Sequence, residues 1–222
     1  MERIDAHCHF WQPARGDYGW LITGGPELDP LRREFLPRDL ADVNGGGRVV
    51  VVQAAPSEAE THFLLGLAQT SQQIAGVVGW VDLTQAEAAE RLAALARNPR
   101  FKGVRPMLQD IADADWIDKA PEPEAVTALV RLGLRFDALV KTQHLGALRR
   151  FCLRYPELAV VIDHAAKPDL VNGAPMAWYR DMERLAAEGY VHCKLSGLVT
   201  EMCPSRLVSI ALAVETLKPV LD

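Results

Sequence analysis

The stretch Ile4-Asp5-Ala6-His7-Cys8-His9-Phe10-Trp11 sets two histidines two residues apart near the start of the chain. In a strand, residues two apart point to the same side. His7 and His9 therefore present two imidazoles together at the end of a first strand, where they can chelate a divalent metal or form a polar floor for a substrate. Two unrelated histidines at a strand end is the plainer alternative. A second run, Val161-Ile162-Asp163-His164, ends in a histidine that can act as a ligand, an acid–base group or a satisfied edge residue.

Cations stand at other strand ends. Phe101-Lys102-Gly103-Val104-Arg105-Pro106 carries Lys102 and Arg105. An arginine fork suits a carboxylate or an oxyanion, because it gives two parallel hydrogen bonds. Three residues apart on a regular strand, the two cations face opposite sides, and Arg105 is preferred as nearer the end; a solvated pair of charges is the alternative. Gln53 ends a valine run as a polar contact, and Lys194 and Ser196 share a face at the end of the last run. His144 opens a helix after a strand and can touch the pocket, whereas His62 reads as a surface residue and His192 as a structural one. No G-x-S-x-G elbow occurs, so a serine triad is not supported.

The elements that must position these residues alternate in type. Strand-like runs fall at Arg3–His9, Arg48–Ala54, Ala75–Asp82, Phe101–Pro106, Leu134–Val140, Leu158–His164 and Tyr190–Ser196, several of them apolar on successive residues, as in a parallel sheet buried on both faces. Between them, Ser57-Glu58-Ala59-Glu60 and Thr84-Gln85-Ala86-Glu87 fit the capping box. Leu145, Leu148, Phe151 and Cys152 line a helix that Pro156 ends, and Trp178 to Glu188 forms another, with Gly189 as its C-cap. Strand–helix–strand repetition is the βαβ signature of an α/β fold. Two long loops follow strands, His9 to Leu36 with Trp11, Tyr18 and Trp20, and Gln109 to Glu122; loops in that position build α/β active sites. The runs number seven where a closed barrel takes eight, and the first turn lacks the Gly-rich phosphate loop of an open doubly wound sheet.

Composition narrows the functions. The chain has 222 residues, 49% hydrophobic and 24% charged, with a net charge of −5. That is the mix of a globular domain with a sizeable core, and the acidic balance argues against nucleic acid as a partner. No apolar run is long enough for a membrane span, and the start of the chain has no apolar signal region, so a cytoplasmic protein is expected. Cys8, Cys152, Cys193 and Cys203 form no C-x-x-C pair and read as small core residues.

Taken in order, IDAHCHFW, VVVVQAAPSEAET, GVVGWVDL, FKGVRP, VVIDHAAKP and CKLSGLVTE resemble the amidohydrolase superfamily, in the branch that holds lactonases of sugar acids and of 2-pyrone-4,6-dicarboxylate. The matching stretches cover most of residues 3 to 201. The resemblance implies an α/β fold, a single (β/α)₈ TIM barrel over residues 1–222, with its site at the strand C-termini. It implies hydrolysis of a sugar-acid lactone, such as fuconolactone or rhamnonolactone, by attack of water. His7, His9 and His164 would be the catalytic and metal-site histidines, zinc the divalent metal where one is used, and Arg105, Lys102, Gln53, Trp11, Trp20 and Lys194 the substrate contacts. A small-molecule lactone is the implied partner, and a homo-oligomer is allowed.

One feature of that family is not found. Its eighth strand ends in a glycine-serine-aspartate-tryptophan-proline-like stretch whose aspartate is a metal ligand or general base. Here Glu201 is followed by Met202-Cys203-Pro204 and a helix-like Val208–Leu221. The segment with the eighth strand is thus expected to be missing between about Glu201 and Pro204, leaving Asp163 or Glu201 as substitutes for the aspartate. Two further readings follow: a decarboxylase or other hydrolase acting on an aromatic-derived acid, which the lack of a histidine in Val140-Lys141-Thr142 disfavours, and a catalytically inactive remnant.

Overall fold

The computed structural model describes residues 3–40, 45–172 and 175–201. In chain order the elements are β1 (Ile4–Cys8), α1 (Gly19–Thr23), α2 (Pro37–Leu40), β2 (Arg48–Val52), α3 (Glu58–Thr70), β3 (Ile74–Gly79), α4 (Ala88–Leu95), β4 (Phe101–Val104), α5 (Trp116–Lys119), α6 (Pro123–Arg131), β5 (Arg135–Ala138), α7 (Leu145–Arg154), β6 (Val160–Ile162), α8 (Met176–Ala186) and β7 (Val191–Cys193). Each of the seven expected strands is present, shorter than expected, and β3 begins one residue earlier, at Ile74. The expected break between about Glu201 and Pro204, and the helix-like Val208–Leu221, lie outside the described residues. The chain divides into two compact units: residues up to Met107 with Ala120–Asp137, and Leu108–Lys119 with those from Ala138 onward.

In the first unit β1 to β5 run parallel, each paired with the next. The valines of β2 show why: Val49, Val51 and Val52 are fully buried, and β-branched residues suit a strand covered on both faces. Their register against β3 sets Val50 beside Gly76, Val51 beside Val77 and Val52 beside Val78. Outside the sheet, Ala88, Leu92 and Leu95 of α4 are buried, as are Ala125, Val126, Ala128 and Leu129 of α6, and these two helices pack on each other. The register of β1 on β2 slips between Asp5 and Cys8, a bulge within Ala6-His7. The amide that the bulge frees, His7 N–H, donates to Asp5 Oδ1 at 2.9 Å. Bulges beside functional sites re-aim side chains, and this one comes just before the two histidines.

In the second unit β6 and β7 pair in parallel, with Val160 opposite Val191 and Ile162 opposite Cys193. Helix α7 buries Leu145, Ala147, Leu148, Phe151 and Cys152, as its apolar spacing predicts. It is tied to α5 through Asp118, whose carboxylate accepts from Arg150 Nε and Arg154 Nη2, both at 2.7 Å. Helix α8 buries Trp178, whose indole N–H donates to Ala165 O at 2.8 Å.

Two local expectations are corrected. Thr84 does not cap a helix: its N–H and hydroxyl both go to Asp82 Oδ1, at 3.0 and 2.7 Å, so the chain turns there and α4 starts at Ala88. The aspartate two residues upstream accepts from both the amide and the hydroxyl, closing a local side-chain turn where the cap was expected. Gly189 does not cap α8, which ends two residues earlier with Ala187 at its C-cap in right-handed geometry. Of the cysteines, Cys152 is buried as expected, Cys8 is half-buried and Cys193 is exposed; Cys203 lies outside the described residues.

Gly103 of β4 is a close approach of two backbones. A Cβ there would collide with the carbonyl oxygen of Arg135 on β5. Because the obstacle is main chain, Gly103→Ala should destabilise the protein by about 1–3 kcal/mol, the scale of an overpacked core. Thermal melting should show a midpoint lowered by several degrees; an unchanged midpoint would mean that the β4–β5 pairing is looser than described.

Candidate active site at the strand C-termini

The residues singled out in the sequence stand at or just beyond the C-terminal ends of strands: His7 and His9 on β1, Gln53 after β2, Arg105 after β4, His164 after β6 and Lys194 after β7. In the first unit His7 and His9 are brought together, with their Nε2 atoms 3.1 Å apart and ring planes at 80°. His9 Nδ1 lies 2.7 Å from Val52 O. A carbonyl only accepts, so Nδ1 carries the proton and Nε2 of a neutral His9 is left with its lone pair facing His7.

The end of β2 holds more than His9. Gln53, fully buried, donates through Nε2 to Arg105 O at 2.7 Å, and Arg105 Nη2 donates back to Gln53 O. Arg105 is itself only 3% exposed. The next carbonyl, Ala54 O, accepts from the indole N–H of Trp20 at 3.0 Å. Trp20 packs edge-on to Trp11 with ring centroids 5.7 Å apart, and both rest on a small core of Tyr18, Leu21, Ala54 and Ala55. Trp11 is fixed at both ends: its indole N–H donates to Leu31 O at 3.0 Å, and its backbone forms an antiparallel bridge with Phe35. The loop after β1 is thereby closed onto itself and folded against the end of β2. Lys102 is placed apart from this group. It is exposed on β4, and a Cβ at Gly76 would lie 2.6 Å from its Cγ, so its stem lies across β3.

The second unit supplies another charged and strained group. Asp163, fully buried, is paired with Lys194 Nζ at 3.1 Å. His164 Nδ1 is 2.9 Å from Ser196 Oγ. The two residues expected to share a face at the end of β7 thus take one partner each from the end of β6. His164, Ala165, Ala166 and Lys167 all have positive φ, between 49° and 59°. For residues with a Cβ each left-handed position costs about 1–2 kcal/mol, and a run of four persists only where its surroundings impose it. Ala165 is pinned by its N–H to Lys194 O at 3.1 Å and by its carbonyl to the Trp178 indole. Gly197, with φ of 64°, makes room for the ring: a Cβ there would be 2.6 Å from His164 Nδ1. Glu201 pairs with Lys167 at 3.7 Å.

The remaining histidines take ordinary places. His62 is exposed on α3 and His192 is exposed on β7. His144 is 2% exposed, and its Nδ1 accepts the Lys141 N–H at 2.9 Å; burial holds its pKa below the usual histidine range, so it is neutral. One buried group was missed in the sequence. Glu60, the third residue of α3, is fully buried, and its carboxylate accepts Ala54 N–H at 3.0 Å and Ala55 N–H at 2.7 Å. The signal was present as the N3 glutamate of a capping box, but the side chain turns to the strand end instead of the helix cap.

The chain is similar over most of its length to known proteins. The Amidohydrolase family matches residues 4–222. An L-fucono-1,5-lactonase of Burkholderia ambifaria is 50% identical over 205 residues, 91% of this chain and 70% of that protein. Its counterpart from Burkholderia multivorans is 38% identical over 90% of this chain and 69% of its own length. Among solved structures, an amidohydrolase from Burkholderia multivorans with bound zinc superposes with a TM-score of 0.86 at 35% identity, covering 100% of this chain and 78% of that one. A probable 2-pyrone-4,6-dicarboxylic acid hydrolase from Acinetobacter baumannii, at 18% identity and a TM-score of 0.73, shares the fold. The architecture is the expected α/β one of the TIM-barrel class, with seven strands among the described residues. By family and by fold, this chain belongs to the amidohydrolases.

Proposed function

We infer that this chain opens the ring ester of a sugar-acid lactone by addition of water. One observation carries the reading: the Nε2 atoms of His7 and His9 meet at the end of β1, 3.1 Å apart, in a chain half identical to an L-fucono-1,5-lactonase. The substrate class is a small aldonolactone, and the product a hydroxy acid. Among the described residues no helix is long and apolar enough to cross a membrane. Free thiols at Cys8, Cys152 and Cys193 are in keeping with a reaction in the cytoplasm.

The histidines fit a divalent metal. With zinc–nitrogen bonds of about 2.0–2.1 Å, two nitrogens 3.1 Å apart suit neighbouring positions on one ion. The Nδ1 proton of His9, given to Val52 O, is the outer contact that fixes a ligating tautomer. The resemblance names His164 as the third histidine; its Nδ1 contact with Ser196 leaves Nε2 for that role when Nδ1 donates. When bound, zinc would supply Lewis-acid polarisation of the ring carbonyl.

The chain's own groups account for the rest. Water adds to the carbonyl carbon, the carbonyl oxygen takes up negative charge, and the ring C–O bond then breaks as its oxygen gains a proton. Arg105, buried beside Gln53, places a fixed positive charge at the end of β4, which favours both the developing oxyanion and the product carboxylate. In the second unit Lys194, held at the end of β7 by Asp163, is the proposed substrate contact. Trp11 and Trp20 offer apolar faces to the sugar ring.

Three outcomes test the reading. Adding L-fucono-1,5-lactone should release acid, followed with a pH indicator, and absence of release across five- and six-carbon aldonolactones would contradict it. His7→Ala and His9→Ala should each lower kcat by at least about 100-fold, as expected when a polarising group is lost. Gly197→Ala should lower kcat/KM by about 10- to 100-fold with a much smaller change in melting temperature, because the added methyl displaces the His164 ring; full activity in that variant would remove His164 from the chemistry.

A further inference from the structure

We propose that Glu60 is a positioning residue for substrate binding: its carboxylate holds the turn after β2 and, through the Ala54 carbonyl, fixes the Trp20 indole against which the lactone ring lies. The proposal rests on the lactonase reading for the identity of the ligand. The placement of Trp20 does not.

The geometry is specific. Ser57 Oγ caps α3 by accepting Glu60 N–H at 3.1 Å, which starts the helix directly under the turn. In a capping box the N3 glutamate would return to the N-cap N–H. Here Ser57 N–H instead donates to Ala55 O at 2.8 Å, and the Glu60 carboxylate takes the next two amides, Ala54 and Ala55. The peptide whose N–H Glu60 holds belongs to the residue whose carbonyl accepts from Trp20. The same helix end also grips the loop that carries Trp20. Ser57 Oγ donates to Asp17 Oδ2 at 3.2 Å, Arg15 Nη2 donates to that oxygen at 2.7 Å, and the Arg15 guanidinium lies 4.7 Å from the centre of the Phe63 ring. Glu60 therefore sits where strand end, helix cap and aromatic loop are joined.

A buried carboxylate is an expensive way to hold two amides, and its titration shows the balance. Burial pushes the Glu60 carboxyl up to about 7, against the pull of the Ala55 and Ala54 amides and with a further push from the Asp17 charge. The groups facing it are Asp17 and Tyr18 of the loop after β1, with Arg15 paired to Asp17; the turn after β2 brings only amides. Between the ordinary value of 4.5 and about 7 the folded state holds this proton more often than the unfolded chain does. By linkage, the contribution of Glu60 to stability is full below 4.5 and is lost as pH rises through 7. The ionised form holds both amides by charge-assisted hydrogen bonds, whereas protonation removes the charge and weakens both contacts. The fold thus carries a carboxylate that is less stable when ionised and better able to hold the turn.

The test compares wild type, Glu60→Gln, Trp20→Phe and the double variant. Loss of an acceptor for buried amides should raise KM for L-fucono-1,5-lactone by about tenfold in Glu60→Gln, with kcat changed less than about threefold. Trp20→Phe should raise KM similarly, and the double variant should be no worse than either single one. In wild type, KM should rise as pH falls below about 7, and Glu60→Gln should lose that dependence. Acrylamide quenching of tryptophan emission reads the placement without turnover: quenching should increase in Glu60→Gln, and in wild type as pH is lowered through 7, but not in Trp20→Phe. Should Glu60→Gln not fold, the wild-type and Trp20→Phe quenching curves decide alone. Quenching shifts without lactone turnover would support the placement and overturn the substrate reading. Turnover with unchanged KM and quenching in Glu60→Gln, or a wild-type quenching curve flat through pH 7, would overturn the proposal.

Discussion

Three consecutive backbone carbonyls at the end of β2 organise the first unit of this protein. Val52 O accepts from His9, Gln53 O from Arg105 and Ala54 O from Trp20. A carbonyl is an obligatory acceptor with fixed geometry, so each side chain is aimed by main chain and not by another mobile group. The main chain is in turn held from below, by the buried valines of β2 in register with β3, and from the side, by Glu60 on the amides of Ala54 and Ala55. A histidine of defined tautomer, a buried guanidinium and an indole are all set by one short turn.

The second unit uses a different device toward a similar end. Four successive left-handed residues follow β6, in a stretch, His164-Ala165-Ala166-Lys167, that contains no glycine. The cost of that backbone is borne by contacts with the start of the loop after β7 and with Trp178. Strain of this sort gathers where a side chain must be presented in one orientation. The residue presented is His164, against Ser196 and the bare Cα of Gly197.

Much of the fold was legible because its signals are local. Strands buried on both faces read as unbroken apolar runs, and the seven runs became seven strands. The paired histidines were legible because a strand repeats every two residues, and they meet even though a bulge interrupts the register of β1. The details that sequence reasoning missed are non-local. Glu60 looked like a helix-capping residue and serves a strand end. Lys194 was read as sharing a face with Ser196, and its pairing with the buried Asp163 was not foreseen. Thr84 matched a capping pattern but found Asp82 closer. The left-handed turn after β6 has no signature in its residue types, since only its tertiary contacts make it affordable.

The tautomer of His9 is the point on which the account turns, because it joins the carbonyl ladder of β2 to a lone pair facing His7. Nitrogen-15 NMR of the histidine side chains reads it directly. The account predicts that neutral His9 carries its proton on Nδ1, with a pyridine-type signal from Nε2 that shifts on addition of zinc. A proton on Nε2, or an Nε2 signal indifferent to zinc, would contradict it.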